Sequence, residues 1–361
     1  FLLFAAMVQG ANRYAIASGD WDDAIWAATA GGSAGSAAVP GSSDDVTIPA
    51  GITVNINANA ENASSLTLNG TLQYLTNRNL VITNSGFVEV NTGATIIFSK
   101  SGQLRGGGNN ARGILVTIHA GVTIYTANAM GLNTGTGNTA LTGSIGVKPG
   151  NVGAPYYDPD ITYIYNGNVS QVIGNAVTNA RSLTISNSNG VTASGDLTVD
   201  TLHTDAGSIL DMVTYQLNLS SADNNGTLYT QNVSATPITP GLSWGGIVAY
   251  NSSSSQTIVA GDYYDLDGTG GDRIMSPTDT IGIADVFTVG AGIYTVTNST
   301  VDFNGSSDQT IPAFTFDHLI VSNNGTKHIP AATTVQCQAV DVNDAAGIEI
   351  DADGGGQLQV L

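Results

Sequence analysis

The chain has one cysteine, Cys337, in 361 residues, so no disulfide can form within it and its stability has to come from backbone pairing and packing. Basic residues are scarce too. Nine Lys and Arg, spread singly from Arg13 to Lys327, face 28 Asp and Glu for a net charge of −19. Nothing in that distribution neutralises a row of phosphates, which excludes nucleic acid as a partner. An anionic polysaccharide would be repelled unless a cation bridged it. Charged residues of both signs make up only 10% of the chain, and Lys, Glu and Arg, all good helix formers, are few. No apolar run is long enough to span a bilayer; the opening "FLLFAAMVQGANRYA" falls short of one.

What is present points the other way. Hydrophobic residues reach 42%, ample for a core, and 45 glycines accompany abundant Thr, Ser, Asn, Val and Ile. This is the composition of strands joined by tight turns. The acidic, sparsely charged surface suits a protein outside the cell, and the apolar start ending in small residues at Ala15 reads as a secretion-signal tail or a capping segment.

From residue 39 the text becomes regular: "VTI", "ITVNI", "SLTLNG", "TLQYL", "NLVIT", "FVEVN", "TIIFS". Each run is three to five residues long, alternates apolar with polar, and ends at Gly, Asn or Pro. The connections are too short for helical crossovers, which excludes a doubly wound sheet. A second regularity has a longer range. "YNGNVSQVI" (165–173), "YNSSSSQTI" (250–258) and "FNGSSDQTI" (303–311) share one frame. An aromatic residue precedes the second position of each frame, Asn, and Gln follows six residues after the aromatic: Tyr165 and Gln171, Tyr250 and Gln256, Phe303 and Gln309. A leucine recurs downstream at Leu183, Leu266 and Leu319. The frames start 85 and 53 residues apart, an elastic spacing that a solenoid accepts and a closed barrel or propeller does not. The expected fold is therefore all-β, a right-handed parallel β-helix of short strands with Gly and Asn turns. At ~4.8 Å per coil it would form a rod of about 60–80 Å. Its expected parts are an apolar segment over 1–15, a β-helical region over 16–124, a Gly-rich protruding loop over 125–164, and a repetitive β-helix over 165–361 that continues in a longer parent.

The stretch "SGDWDDAIW…VPGSSDDVTIPAGITVNINANAENASSLTLNGTL" resembles the opening of long, repetitive secreted surface proteins of the Bacteroidetes. It is similar to the eight-glycine domain of cell-surface and hyaluronan-related proteins. A Trp pair, Val-Pro-Gly, Asp-Asp-Val and Leu-Thr-Leu-Asn-Gly-Thr-Leu come in the same order, over roughly residues 18 to 100. The resemblance implies an exported β-helical protein used in adhesion or surface architecture.

Motifs that carry chemistry are sparse. Asp44 and Asp45 open a strand and read as an acidic turn that satisfies backbone amides. "GGSAG" (31–35) and "GTGNTA" (135–140) match nucleophile and dinucleotide patterns but lack the flanking strand and helix that those sites need. The four histidines, His119, His203, His318 and His328, never fall at metal-ligand spacing, and only His318 and His328 could meet across a turn. The acidic loops are better candidates. "DLDGTGGD" offers Asp265, Asp267 and Asp272; "DVNDAAGIEIDADGGG" offers Asp341, Asp344, Asp351 and Asp353. Calcium, which takes six to eight oxygens on a bending loop, is the one cofactor these could hold. Tyr156, Tyr157, Tyr163 and Tyr165 could stack on a glycan. No catalytic residue is expected. The expected partners are further copies of the chain, end to end, or a cell-surface glycan or protein. A carbohydrate-binding or polysaccharide-cleaving β-helix is the alternative.

Overall fold

The computed structural model describes residues 10–58, 61–83, 86–107, 114–133, 143–146, 155–344 and 347–361. Among these there is strand and turn but no helix, and the strands stack in parallel as a β-solenoid. None of the described residues forms a helix able to cross a membrane. The chain forms two compact units, Phe1–Asn189 and Gly190–Leu361.

In the first unit the strands are short and fall on three faces. One face stacks Asn12–Ala15, Asp45–Ile48, Ser65–Leu68, Phe87–Val90, Leu115–Ile118 and Tyr156–Tyr157. A second stacks Gly19–Asp20, Thr53–Ile56, Thr71–Tyr74, Thr95–Phe98, Thr123–Thr126, Thr162–Tyr165 and Asn179–Ile185. The third stacks Glu61–Ala63, Asn79–Ile82, Gln103–Gly106 and Ile145–Gly146. The register is set by alternation. In "SLTL" the leucines Leu66 and Leu68 point inward, fully buried, beneath Val88 and Val90, while Thr67 points out. Burying each such side chain contributes roughly 1.5–3 kcal/mol. Inward residues therefore form files along the stack, such as Ile56, Tyr74, Phe98, Thr126, Tyr165 and Ile185. Tyr74 and Phe98 stack face to face in that file, with ring centroids 4.7 Å apart.

Two expectations change here. Residues 12–15 are the first rung of the stack, paired with Asp45–Ile48, while residues 1–9 lie outside the described residues. The span 125–164 is not a single loop, because Ile145–Gly146, Tyr156–Tyr157 and Thr162–Tyr165 are rungs in register with the coil before. Residues 134–142 and 147–154, including the "GTGNTA" match, lie outside the described residues.

The second unit is also built of parallel rungs, with several strands of seven to nine residues, among them Ser243–Tyr250, Gly261–Asp267, Phe314–Val321 and Thr334–Val342. Its interior holds an aromatic cluster of Phe287, Tyr294, Phe314, Phe316 and Phe303. Cys337 is fully buried, as its apolar surroundings predict.

The three repeat frames turn out to be one device used three times. Each Gln is buried. Its Oε1 accepts the amide N–H of the residue four positions earlier, from Gly167 at 2.8 Å, Ser252 at 3.2 Å and Gly305 at 2.8 Å. Its Nε2 donates to two carbonyls of the preceding coil. These belong to Thr126 and Asn128 for Gln171, Thr230 and Asn232 for Gln256, and Ile283 and Asp285 for Gln309, all at 2.9–3.1 Å. The clamp thus satisfies a turn amide and gives a further bond to carbonyls of the coil before, one of which in each frame also accepts the amide of the frame's Asn. Glycine in the frame has a steric reason: a Cβ on Gly305 would come 2.0 Å from Ala284 O and 2.7 Å from the Gln309 amide carbon. On the next rung, polar groups cap the clamp. Asn187 donates to Gln171 Oε1 at 2.8 Å, Arg273 lies in register with Gln256, and Lys327 with Gln309. Both cations are fully buried and bond backbone carbonyls, Arg273 those of Tyr250, Ser252, Thr269 and Asp272, and Lys327 that of Gly305. Burial pulls the pKa of each below its ordinary value.

Candidate functional site

On the outer face of the second unit the register aligns Ser243, Asp262, Gly282, Asp302, Ile320 and Asp341 in one file. The two aspartates that matter, Asp262 and Asp302, are separated by one rung, so their backbones lie roughly 9–10 Å apart. Gly282 between them leaves room for side chains to lean together: a Cβ there would meet Asp262 Oδ1 at 2.4 Å and Asn304 Nδ2 at 2.5 Å. Asn304 donates to Asp262 Oδ1 at 3.3 Å, and the Ser322 hydroxyl reaches both Asp302 oxygens at 2.8 and 2.9 Å. Burial holds the Asp302 carboxyl above the ordinary aspartate pKa and the charge of Asp262 adds to that; Ser322 and Lys327 oppose it. Nearby, Tyr264 is 46% exposed and its hydroxyl donates to Asp285, which raises the phenol pKa chiefly through the carboxylate charge. Two carboxylates, an amide and hydroxyls on one open face can bind a hydroxyl-rich ligand.

Neither Asp262 nor Asp302 stands out in the sequence. The signal was available: in "GDYYDLD" and "TVDF" they occupy the outward positions of alternating strands.

The expected calcium ligands are spread along the second unit and occupied locally. Asp265 Oδ1 accepts the Val286 amide at 3.0 Å, Asp267 that of Thr269 at 2.8 Å, Asp272 that of Ile293 at 2.9 Å, and Asp351 that of Gly354 at 2.9 Å. The bonds of Asp267 and Asp351 cap their own turns, and those of Asp265 and Asp272 tie one coil to the next. Burial holds Asp265 above the usual aspartate range. Asp351 and Asp353 line a groove of about 690 Å³ together with His328 and Glu349. Among the described residues no three His, Cys, Asp or Glu side chains are placed to hold a metal ion. Of the four tyrosines read as a glycan platform, Tyr163 and Tyr165 are fully buried in the first unit, where the alternation of "TYIY" turns them inward, and Tyr165 donates to Ile173 O at 2.6 Å. Tyr157 is half-buried, and only Tyr156, 51% exposed, offers a ring to solvent.

Asp44 and Asp45 are framework. Asp44 accepts the amides of Ala11 and Gly41 and an ion pair from Arg13, and Asp45 accepts the Ser65 hydroxyl of the next coil. Each histidine pairs with a carboxylate of a neighbouring coil: His119 with Glu89, His318 with Asp341, and His328 with Glu349. His203 lies between two, with Nδ1 2.6 Å from Asp223 and Nε2 2.8 Å from Asp205. Burial pulls its pKa down, but the hydrogen bonds and charges of Asp205 and Asp223 outweigh this, and the net shift is upward. Charging His203 therefore stabilises the fold below the ordinary histidine pKa, and that contribution is lost as pH rises through the higher folded value. Ring NMR is expected to place the His203 midpoint above 6.5, the ordinary value, and Asp223→Asn to bring it down; an unmoved midpoint would refute the pairing.

The fold and this site define a parallel β-solenoid with a carboxylate-bearing outer face. Compared with models of known families, with curated proteins and with solved structures, the chain matches none.

Proposed function

We propose that the chain is a non-enzymatic, extracellular structural or surface protein, a filament subunit or adhesin whose work is mechanical. The supporting observation is the recurring glutamine clamp. The glutamine of each of the three repeat frames ties one coil to the coil before it, and a buried cation lies in register with two of them. The outward file Thr53, Thr71, Thr95, Thr123, Thr162 and Ser182 adds a regular, uncharged face for contact with a surface. The single buried cysteine and the acidic surface fit life outside the cell. The alternative reading, a carbohydrate-binding or carbohydrate-cleaving solenoid, is favoured by Asp262 and Asp302 alone.

Electron microscopy of concentrated protein without ligand, together with binding to intact cells, tests the first reading. Ordered fibres or saturable surface binding is the expected result. Release of reducing ends from a polysaccharide panel, lost in Asp302→Asn, would overturn it in favour of the second.

A further inference from the structure

Glu61 is one of only three glutamates in the chain, with Glu89 and Glu349, and it sits where the fold wants an aliphatic residue. It shares the third face of the first unit with Asn79–Ile82 and Gln103–Gly106, and its register partner is the buried Leu80, followed along the file by Leu104 and Ile145. Glu61 is 4% exposed. Its Oε1 accepts the amides of Asn57 at 3.2 Å and Ala58 at 3.1 Å, the two residues that follow the second-face strand Thr53–Ile56. Among the described residues its Oε2 is buried with no partner, and so is the hydroxyl of fully buried Tyr74 on the coil above. The ionisable groups acting on it are Asp20 and Asp22 of the first coil, and its own charge acts on Tyr74. Asn57 also donates its side-chain amide to Asp20 of the first coil, beside the strand pairing that holds that coil.

We propose that this contact is a proton-operated latch: with Glu61 neutral it is closed on Asn57 and Ala58, and with Glu61 ionised the side chain leaves for water and releases both amides. The physical reason is that no group among the described residues compensates a charge at Oε2. An ionised carboxylate there would face an apolar file on one side and two aspartates on the other. A neutral carboxyl carries no charge and leaves only one polar group without a described partner, a smaller cost. Burial, the largest influence, places the transition near neutrality, at about 7, with the two backbone amides opposing and Asp22 and Asp20 assisting.

Hydrogen exchange on the intact chain tests the latch. Protection factors of the Asn57 and Ala58 amides are expected to fall more than tenfold between pH 5.5 and 8.5 in the wild type, and to stay level in Glu61→Gln. A level wild-type profile, or a parallel fall in the variant, would overturn the proposal. Carboxyl NMR of protein labelled only at glutamate provides a check that needs no variant, since three signals suffice. One midpoint well above the ordinary glutamate value is expected; three ordinary midpoints would overturn it.

Discussion

Replacing Gln309 by leucine is expected to destabilise the second unit by about 3 kcal/mol, although the two side chains are similar in volume. The substitution keeps the packing and removes three hydrogen bonds, leaving the Gly305 amide and the carbonyls of Ile283 and Asp285 without that partner inside the turn. Each bond contributes about 1 kcal/mol net, and a buried group stripped of its partner costs roughly 1–3 kcal/mol, so the polar loss exceeds any gain from burying extra methyl groups. The effect also spreads. Lys327 donates to Gly305 O at 2.6 Å, so loosening Gly305 disturbs the main support of a buried ammonium. Gln309→Leu and Lys327→Met should then be non-additive, with the double variant less damaged than the sum of the singles. Urea unfolding checks this. A lowered midpoint with unchanged slope is the expected result, and a wild-type midpoint would show that the clamp is not a source of cohesion.

The same residues mark what could be read from the sequence. The frames are visible as text because the aromatic residue, the Asn and the Gln keep their spacing. Their purpose is hidden, because the carbonyls that Gln171 bonds lie 43 and 45 residues earlier, across an elastic coil. Alternation revealed the strands and the inward leucines. It was available also for "TYIY", where Tyr163 and Tyr165 align with Leu183 and Ile185, but the Gly-rich text before them drew the reading toward a loop. The acidic loops were legible as turns; that Asp262 and Asp302 approach over Gly282 depends on a register fixed only in three dimensions. Glu61 was silent for a related reason. "NANAENASSL" reads as a polar turn, and only stacking under Leu80 and Leu104 reveals an inward carboxyl.

That inward carboxyl should leave a thermodynamic signature on the first unit. Glu61 is held at about 7 in the fold against 4.5 when unrestrained, so between those values the folded chain binds more of this proton than the unfolded chain does. Stability therefore falls as pH rises through the window; the favourable term is complete below 4.5 and gone above 7. Ionisation in place would cost about 3 kcal/mol for a shift of that size. Breaking the bonds from Asn57 and Ala58 costs about 1 kcal/mol each, so releasing them is the cheaper route and caps the loss at about 2–3 kcal/mol. Glu61→Gln keeps the shape and one carbonyl acceptor but cannot ionise. Subtracting its pH profile from that of the wild type cancels the other titrating groups, including His203 and Asp302. The difference between wild type and variant, measured by urea unfolding at pH 5 and pH 8, is expected to change by about 2 kcal/mol or more, with the wild type losing stability at the higher pH. Parallel profiles would mean that Glu61 is ionised and solvated throughout, and the contact would then be no latch.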